Sequence, residues 1–226
     1  MYIYKQNEEQ QMELIDEIVE ARNFREAWMS VRRNHGAAGM DKMSVEELDV
    51  YMPAHMEELK SLIKSKQYKP SPVRRVYIPK SNGKQRPLGI PTVVDRVVQQ
   101  SAAQVLSKLY EPVFSDHSYG FRPNRSCHKA IRKVLEFLNE GYEWVVDFGI
   151  EKYFDTVNHD KLISIFREQV NDSSTLHLIR SFLKAVVMED GLVHAPQRES
   201  LKAAAYLQSF PISTLTNWTR NSKTEV

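Results

Sequence analysis

The stretch that decides the fold runs from Val73 to Gln100 and reads Val-Arg-Arg-Val-Tyr-Ile-Pro-Lys-Ser-Asn-Gly-Lys-Gln-Arg-Pro-Leu-Gly-Ile-Pro-Thr-Val-Val-Asp-Arg-Val-Val-Gln-Gln. Its β-branched and aromatic residues predict a strand over 73–79, and 85–91 predicts the returning strand. Asn82-Gly83 favours a tight hairpin turn, because both residues tolerate positive φ. The predicted hairpin therefore carries four cations on one small β unit: Arg74, Lys80, Lys84 and Arg86.

The hairpin lies within a basic block that extends from Lys60 to Lys108. Eleven Lys and Arg residues occur there against one acid, Asp95, although the net charge of the whole chain is only +2. Such a block is typical of a surface that binds a polyanion, because neutralising phosphates releases condensed counterions. Charge alone is equally compatible with a solvated protein face, so the block does not by itself identify a nucleic-acid site.

Apolar periodicity predicts a mainly helical chain around this hairpin. Helices are expected over 11–31, 44–66, 95–109, 126–139, 159–170 and 175–187, and a core strand is expected over 142–148. Ser44, with Glu47 three residues later, forms a capping-box pattern at the start of the second helix. This order of elements lacks the alternation of a parallel sheet and indicates an α+β fold.

The composition favours a cytoplasmic protein with no membrane partner. The chain has 226 residues, of which 42% are hydrophobic, and no apolar run is long enough to span a bilayer. The residues after Met1 lack the basic-then-apolar build of a signal peptide. Cys127 is the only cysteine, which excludes an intrachain disulfide and a cysteine-cluster zinc site.

Three stretches, in order, resemble the reverse transcriptases and maturases encoded by group II introns. The first is 74–100, quoted above. The second is 118–131, Ser-Tyr-Gly-Phe-Arg-Pro-Asn-Arg-Ser-Cys-His-Lys-Ala-Ile, and the third is 144–162, Trp-Val-Val-Asp-Phe-Gly-Ile-Glu-Lys-Tyr-Phe-Asp-Thr-Val-Asn-His-Asp-Lys-Leu. Gly36 to Asp41 is also similar to the N-terminal extension of the family.

The resemblance implies the fingers and a partial palm of a right-hand polymerase. It divides the chain into an N-terminal helical extension over 1–35, a fingers region with the basic hairpin over 36–141, and the start of the palm over 142–194. RNA is the implied partner, as group II intron RNA and as template-primer, and dNTPs are the implied substrates. A surface that holds a triphosphate needs cations on a rigid element, which a basic hairpin supplies.

The resemblance also assigns roles to individual residues. Arg74, Lys80 and Arg86 are expected to contact the phosphates of the incoming nucleotide, and Phe154 is expected to abut its sugar. Arg122 and Arg125 are expected to bind RNA phosphates. Phe121 is expected in the core, with a surface for base stacking as the alternative. Without the resemblance, an exposed hairpin whose charges serve solubility is the preferred interpretation of the first three residues.

The chain departs from the family at its metal site. Polymerases transfer phosphoryl groups with two Mg²⁺ ions, which prefer carboxylate oxygens. The family places a metal-binding aspartate five residues before the aromatic residue at the sugar, and Gly149 occupies that position here. The Pro-Gln-Gly and Tyr-x-Asp-Asp motifs of the family are also missing. We therefore expect no intact catalytic residue, no metal site and no productively bound Mg²⁺, with a non-catalytic intron-RNA-binding fragment or a pseudogene product as alternatives.

The tail over 195–226 resembles nothing in the family. The codons that can encode this tail can also be read in a shifted frame, in which the last base of each codon is joined to the first two bases of the next. That shifted frame permits a Pro-Gln-Gly-Gly segment. We therefore expect this tail to be frameshifted and without a native structure. The coding DNA decides the matter, because its shifted frame either contains Pro-Gln-Gly-Gly or does not.

Overall fold

The structure is a computed structural model that describes residues 13–79, 81, 83–149, 157–189 and 192–194. The helices are α1 Leu14–Ile18, α2 Ala21–Arg33, α3 Leu48–Lys64, α4 Val93–Tyr110, α5 Cys127–Asn139, α6 His159–Arg167 and α7 Ser173–Leu183. The strands are β1 Val73–Pro79, β2 Gln85–Ile90, β3 Val187–Glu189 and β4 Leu192–His194. None of the helices in this part of the chain combines the length and apolar character needed to cross a bilayer.

The predicted basic hairpin is confirmed. β1 and β2 pair antiparallel, from Arg74 opposite Ile90 to Pro79 opposite Gln85. Gly83 takes a positive φ of 76°, which is the conformation that a glycine allows in a tight turn. β1 also pairs in parallel with β3, and β3 pairs antiparallel with β4, so the sheet order is β2-β1-β3-β4. The expected α+β fold is therefore confirmed.

Helix α4 forms the centre of the hydrophobic core. Val97, Val98 and Leu106 are fully buried along it, and α2 packs against it through Phe24 and Ala27. The helix begins after Thr92, whose hydroxyl accepts a hydrogen bond from the Asp95 amide at 3.1 Å. Because β2 ends two residues before this cap, the hairpin leads directly into the centre of the core.

A side-chain cap sets the start of α2, whereas α3, predicted over 44–66, begins only at Leu48 and has no side-chain cap at its N-cap residue Glu47. The single helix predicted over 11–31 is divided into α1 and α2, because the Glu20 carboxylate accepts a hydrogen bond from the Asn23 amide at 3.0 Å and begins a new helix. The two hydrogen bonds of the predicted capping box are present, since the Ser44 amide donates to Glu47 at 2.7 Å and the Glu47 amide donates to the Ser44 hydroxyl at 3.4 Å, but they close the turn that precedes α3.

The structure corrects two predictions near the end of the described chain. The helix predicted over 175–187 ends at Leu183, because Val187 pairs with Val73 and extends the sheet. The core strand predicted over 142–148 is irregular, and its Trp144 and Phe148 side chains are 91% and 89% exposed. A strand needs a neighbour for its backbone groups, and no described strand lies beside this segment.

Candidate nucleotide and RNA-binding site

The strand register places two of the predicted phosphate-binding residues on one face of the hairpin. Ile78 lies opposite Arg86, and Arg74 is four residues before Ile78 in β1. Because side chains alternate between the faces of a strand, Arg74 and Arg86 share a face, and their positions are separated by roughly 13 Å along the strands. Arg86 is exposed and Arg74 is half-buried. The hairpin thus presents two guanidinium groups on the same side.

A loop at Gly36–Gly39 holds the half-buried end of this face. The Arg74 guanidinium donates to the Ala38 carbonyl at 2.7 Å, and the Arg96 guanidinium donates to the Ala37 carbonyl at 2.6 Å. Gly39 lies so close to α4 that a Cβ there would be 2.6 Å from the Cα of Thr92. Sequence reasoning missed the contribution of Arg96, although its place in the basic block was visible.

Asp95 joins both ends of the hairpin to α4. Its carboxylate accepts hydrogen bonds from the Tyr68 hydroxyl at 2.6 Å, the Thr92 hydroxyl at 2.7 Å and the Ser71 amide at 3.1 Å. Burial raises the pKa of Asp95, and these hydrogen bonds act in the opposite direction. Sequence reasoning gave Asp95 no role, yet a lone acid inside a long basic block was a detectable signal.

The structure gives Arg122 a different role from the one predicted. Its side chain is buried, and its guanidinium donates to the Glu111 carboxylate at 3.2 and 2.8 Å. It also donates to the carbonyls of Glu111, Ser115 and Ser118, at 3.3, 2.6 and 3.1 Å. An arginine has five N–H donors, and all of them are used here. Arg122 therefore stabilises the loop after α4 and has no donor left for an RNA phosphate.

Arg125 and Phe121 lie on the surface of the same loop. Arg125 donates to the Asp116 carbonyl at 2.9 Å and to its carboxylate at 3.1 Å, and its guanidinium lies 5.6 Å from the centre of the Tyr119 ring. Phe121, which was expected in the core, is 64% exposed. The prediction for Phe121 was wrong because its positive φ of 54° places it at a turn. The alternative, a surface for base stacking, stays a prediction.

Gly149 offers no side-chain ligand at the position where the resemblance places a metal-binding aspartate, and residues 150–156 lie outside the described residues. Gly149 is exposed, and a Cβ there would meet nothing within 4 Å. Across the described ranges, no three His, Cys, Asp or Glu side chains come together in a group that could hold a metal ion. Lys80 and Phe154 lie outside the described residues. Their contacts to the nucleotide remain predictions.

Comparisons with known proteins identify the family and the fold. The family model described as reverse transcriptase (RNA-dependent DNA polymerase) matches residues 78–205, which is more than half of the chain. Protein YkfC of Escherichia coli K12 is 39% identical over 161 residues, which cover 70% of this chain and 42% of that protein. The group II intron-encoded protein LtrA of Lactococcus lactis is 36% identical over 169 residues, which cover 74% of this chain and 28% of that protein. The chain thus spans less than half the length of these relatives.

A solved structure shares the fold. A chain of the partial Cas6-RT-Cas1–Cas2 complex superposes with a TM-score of 0.59 at 18% sequence identity, covering 95% of this chain and 36% of that one. At this identity the likeness concerns the fold alone. The family match and the intron-encoded relatives lead to one conclusion. The chain belongs to the reverse transcriptase family, among the group II intron reverse transcriptases and maturases.

Proposed function

We propose that this chain retains the RNA-binding and nucleotide-phosphate-binding part of a group II intron reverse transcriptase and maturase, and that it does not synthesise DNA on its own. The observation that carries the proposal is the shared face of Arg74 and Arg86 on a hairpin that is fixed to the core. The chain spans less than half the length of the relatives that it matches.

The hairpin is suited to binding phosphates because its base is fixed to the core and one of its cations, Arg74, is held in place before a ligand arrives. Asp95 fixes the base of the hairpin, and the Ala38 carbonyl orients Arg74. Lys84 and Arg86 remain exposed near the turn. Charge-assisted hydrogen bonds from a pre-organised guanidinium lose little side-chain entropy on binding. Group II intron RNA, template-primer and dNTPs all carry the phosphates that such a surface recognises.

The proposed lack of polymerase activity rests on the side chains that would have to bind Mg²⁺. Reverse transcriptases use Mg²⁺, and a two-metal site requires carboxylate oxygens for both ions. Gly149 supplies no side-chain oxygen at the position where the family has an aspartate. In this proposal the cations of the chain bind phosphates and take part in no catalytic step.

RNA binding is tested by measuring the affinity of the purified chain for structured group II intron RNA and for an unrelated RNA duplex over a series of salt concentrations. We expect tighter binding to the intron RNA and a steep loss of affinity with salt. Arg86→Ala should lower the slope of the log–log salt plot by about 1, as expected for the loss of one phosphate contact. Arg22→Ala is the matched control, because Arg22 is an exposed arginine that is paired with Glu26 on α2. Equal slopes for the two variants, or no preference for intron RNA, would contradict the proposal.

DNA synthesis is tested by primer extension with Mg²⁺ and dNTPs on an RNA template. We expect no extension by the wild-type chain. Extension that disappears in Arg86→Ala would show a working polymerase and overturn the proposed inactivity. Extension that is equal in the wild type and in Arg86→Ala would point to a contaminating enzyme and leave the chain inactive.

A further inference from the structure

Phe121 is an exposed aromatic residue in a backbone conformation that phenylalanine disfavours. Its φ is 54°, and its side chain is 64% exposed. A bulky residue avoids this left-handed region because its Cβ crowds the adjacent backbone, whereas asparagine, as at Asn124, adopts it more readily. An exposed phenylalanine also gains none of the stabilisation that burial of its ring would give. Neither the backbone nor the packing of the fold favours an aromatic ring here, and strain of this kind points to a binding role.

The loop that carries Phe121 is held in place by the residue that follows. The buried Arg122 guanidinium donates to the Glu111 carboxylate and to three backbone carbonyls. The Arg125 amide donates to the Arg122 carbonyl at 3.3 Å and closes a turn. The backbone of Phe121 is therefore fixed, and its ring is presented to solvent at a defined place.

The stretch around Phe121 is basic. From residue 117 to residue 135 it contains no acid and five cations, which are Arg122, Arg125, Lys129, Arg132 and Lys133. Three of them are paired with acids outside the stretch: Arg122 with Glu111, Arg125 with Asp116, and Lys133 with Glu136. Lys129 and Arg132 are exposed and form no ion pair within the described ranges. The Lys129 ammonium donates to the Asn124 carbonyl at 2.7 Å, so one unneutralised cation lies beside the loop and a second lies about one turn further along α5.

The ring and these cations together fit one kind of ligand. A phenyl ring stacks on the face of a nucleobase, and neighbouring cations attract the phosphates of the same strand. A base inside a duplex has both faces covered by its neighbours, so only an unpaired base offers a face to Phe121. The ligand class is therefore a single-stranded stretch of RNA, because RNA is the nucleic acid that the hairpin is proposed to bind.

We propose that Phe121 stacks on an unpaired base of the bound RNA, and that Arg122 is a positioning residue that holds the loop in place for this contact. The inference rests on the proposed RNA binding, to which it adds a contact with a base. Stacking makes no distinction among the four bases, since each has a π-face. The contact therefore favours unpaired RNA over a duplex and does not select a sequence.

The test compares the affinity of the chain for a blunt RNA duplex and for the same duplex with an unpaired overhang, over a series of salt concentrations. Phe121→Ala should weaken binding of the overhang RNA by about 5- to 150-fold, the range measured for the loss of one stacked base. The slope of its log–log salt plot should stay that of the wild type, because no phosphate contact is lost. Its affinity for the blunt duplex should be unchanged. Phe121→Tyr should bind both RNAs like the wild type, since a tyrosine ring stacks equally well.

Trp144→Ala is the control for an exposed aromatic residue. Trp144 is 91% exposed, more than Phe121, but it lies next to Glu143 and near Asp147, which repel phosphates. Trp144→Ala should therefore bind the overhang RNA like the wild type. A loss in Trp144→Ala as large as that in Phe121→Ala would show that any exposed ring has this effect, and would overturn the inference.

The outcomes separate this inference from the proposed function. If Arg86→Ala lowers the salt slope and Phe121→Ala binds both RNAs like the wild type, RNA binding stands and the stacking contact is overturned. Equal weakening of both RNAs by Phe121→Ala would also overturn it, because a duplex offers no free base. A wild-type chain that binds neither RNA at any salt concentration would overturn the inference and the proposed function together.

A double-mutant cycle tests the positioning role of Arg122. Arg122→Lys keeps the charge and loses the fork of donors that holds the loop. It should weaken binding of the overhang RNA in the wild-type background and cause no further loss in the Phe121→Ala background, because Arg122 acts through Phe121. The four proteins are compared at a temperature at which urea unfolding shows each of them to be folded. Equal losses in the two backgrounds, or no loss in either, would overturn the positioning role.

Discussion

Asp95 fixes the base of the hairpin through a small set of short hydrogen bonds. The Tyr68 hydroxyl and the Ser71 amide precede β1, and the Thr92 hydroxyl follows β2, so one carboxylate joins both ends of the hairpin. A buried carboxylate that loses a donor retains an unsatisfied oxygen at a cost of about 1–3 kcal/mol. Tyr68 is therefore a position where one hydroxyl group affects the stability of the whole hairpin.

Tyr68→Phe is predicted to lower the free energy of unfolding by about 1–3 kcal/mol at neutral pH, because the Asp95 carboxylate loses its shortest hydrogen bond. It should also change the alkaline limb of the stability curve. Burial, followed by the nearby Asp95, raises the pKa of Tyr68 well above its ordinary value of 10.0. The stability that comes from keeping this tyrosine neutral is full below pH ~10 and is lost as pH rises towards the folded-state pKa.

The measurement is urea unfolding of both proteins from neutral pH to above the ordinary tyrosine pKa. The wild type should lose stability more steeply on the alkaline side than Tyr68→Phe, which cannot ionise at this position. Tyr142→Phe is the matched control, since Tyr142 is an exposed tyrosine, and its pH dependence should follow that of the wild type. Parallel curves for Tyr68→Phe and the wild type above pH ~10 would contradict the assigned role.

At the scale of helices and strands, the sequence predicted the elements that depend on neighbouring residues better than those that depend on residues far away in the chain. The hairpin followed from Asn82-Gly83 and the flanking β-branched residues, all within one short stretch. The capping pair Ser44 and Glu47 followed from a spacing of three residues and is present. The strand expected over 142–148 did not form, because a strand requires a neighbour that may come from anywhere in the chain.

The candidate site shows the same division between local and distant determinants. The shared face of Arg74 and Arg86 followed from the hairpin. The burial of Arg122 did not, because it depends on Glu111 and on carbonyls of a loop whose path no local pattern specifies. The contact between Arg96 and Ala37 likewise joins residues that are far apart in sequence. Residue types predicted the chemistry of the site, and tertiary contacts determined which cations are exposed.

Asp172, like Asp95, is a single carboxylate that connects two elements. It joins the first turns of two helices. Its carboxylate accepts the Ser174 and Thr175 amides of α7, at 2.8 and 3.2 Å, and the Ile15 amide of α1, at 2.9 Å. Asp172→Ala is predicted to cost about 1–3 kcal/mol of unfolding free energy, since two helices lose an acceptor. Urea unfolding measures the loss.

The control for Asp172 is Asn158→Ala at the start of α6. Asn158 caps a single helix through the Lys161 amide at 2.9 Å, so its removal should cost about 1 kcal/mol. Hydrogen exchange at the α1 amides distinguishes the two variants, because only Asp172→Ala removes an acceptor from α1. Equal losses in the two variants, with α1 unaffected in both, would show that the contact to Ile15 contributes nothing.

At the scale of the whole molecule, α4 and α5 represent two extremes of packing. A single hydrophobic cluster extends from Ile15 in α1 to Leu183 in α7, and α4 lies within it. Helix α5 contributes no buried residue. The energy that holds α5 in place in the single chain is therefore small, whereas α4 can separate from its neighbours only if the core opens.

Hydrogen exchange should distinguish these two helices. The amides of α4 are expected to exchange only through global unfolding, and those of α5 through local opening at a lower free energy. Leu106→Ala creates a cavity at a fully buried site and should lower the exchange free energy of α4 by about 2–5 kcal/mol. It should leave the exchange free energy of α5 unchanged, provided that local opening remains easier than global unfolding.

Leu138→Ala, at an exposed leucine of α5, is the control and should change the exchange free energy of α4 by less than about 0.5 kcal/mol. If α5 lost protection in step with α4 in Leu106→Ala, the helix would belong to the cooperative core, which would contradict the prediction.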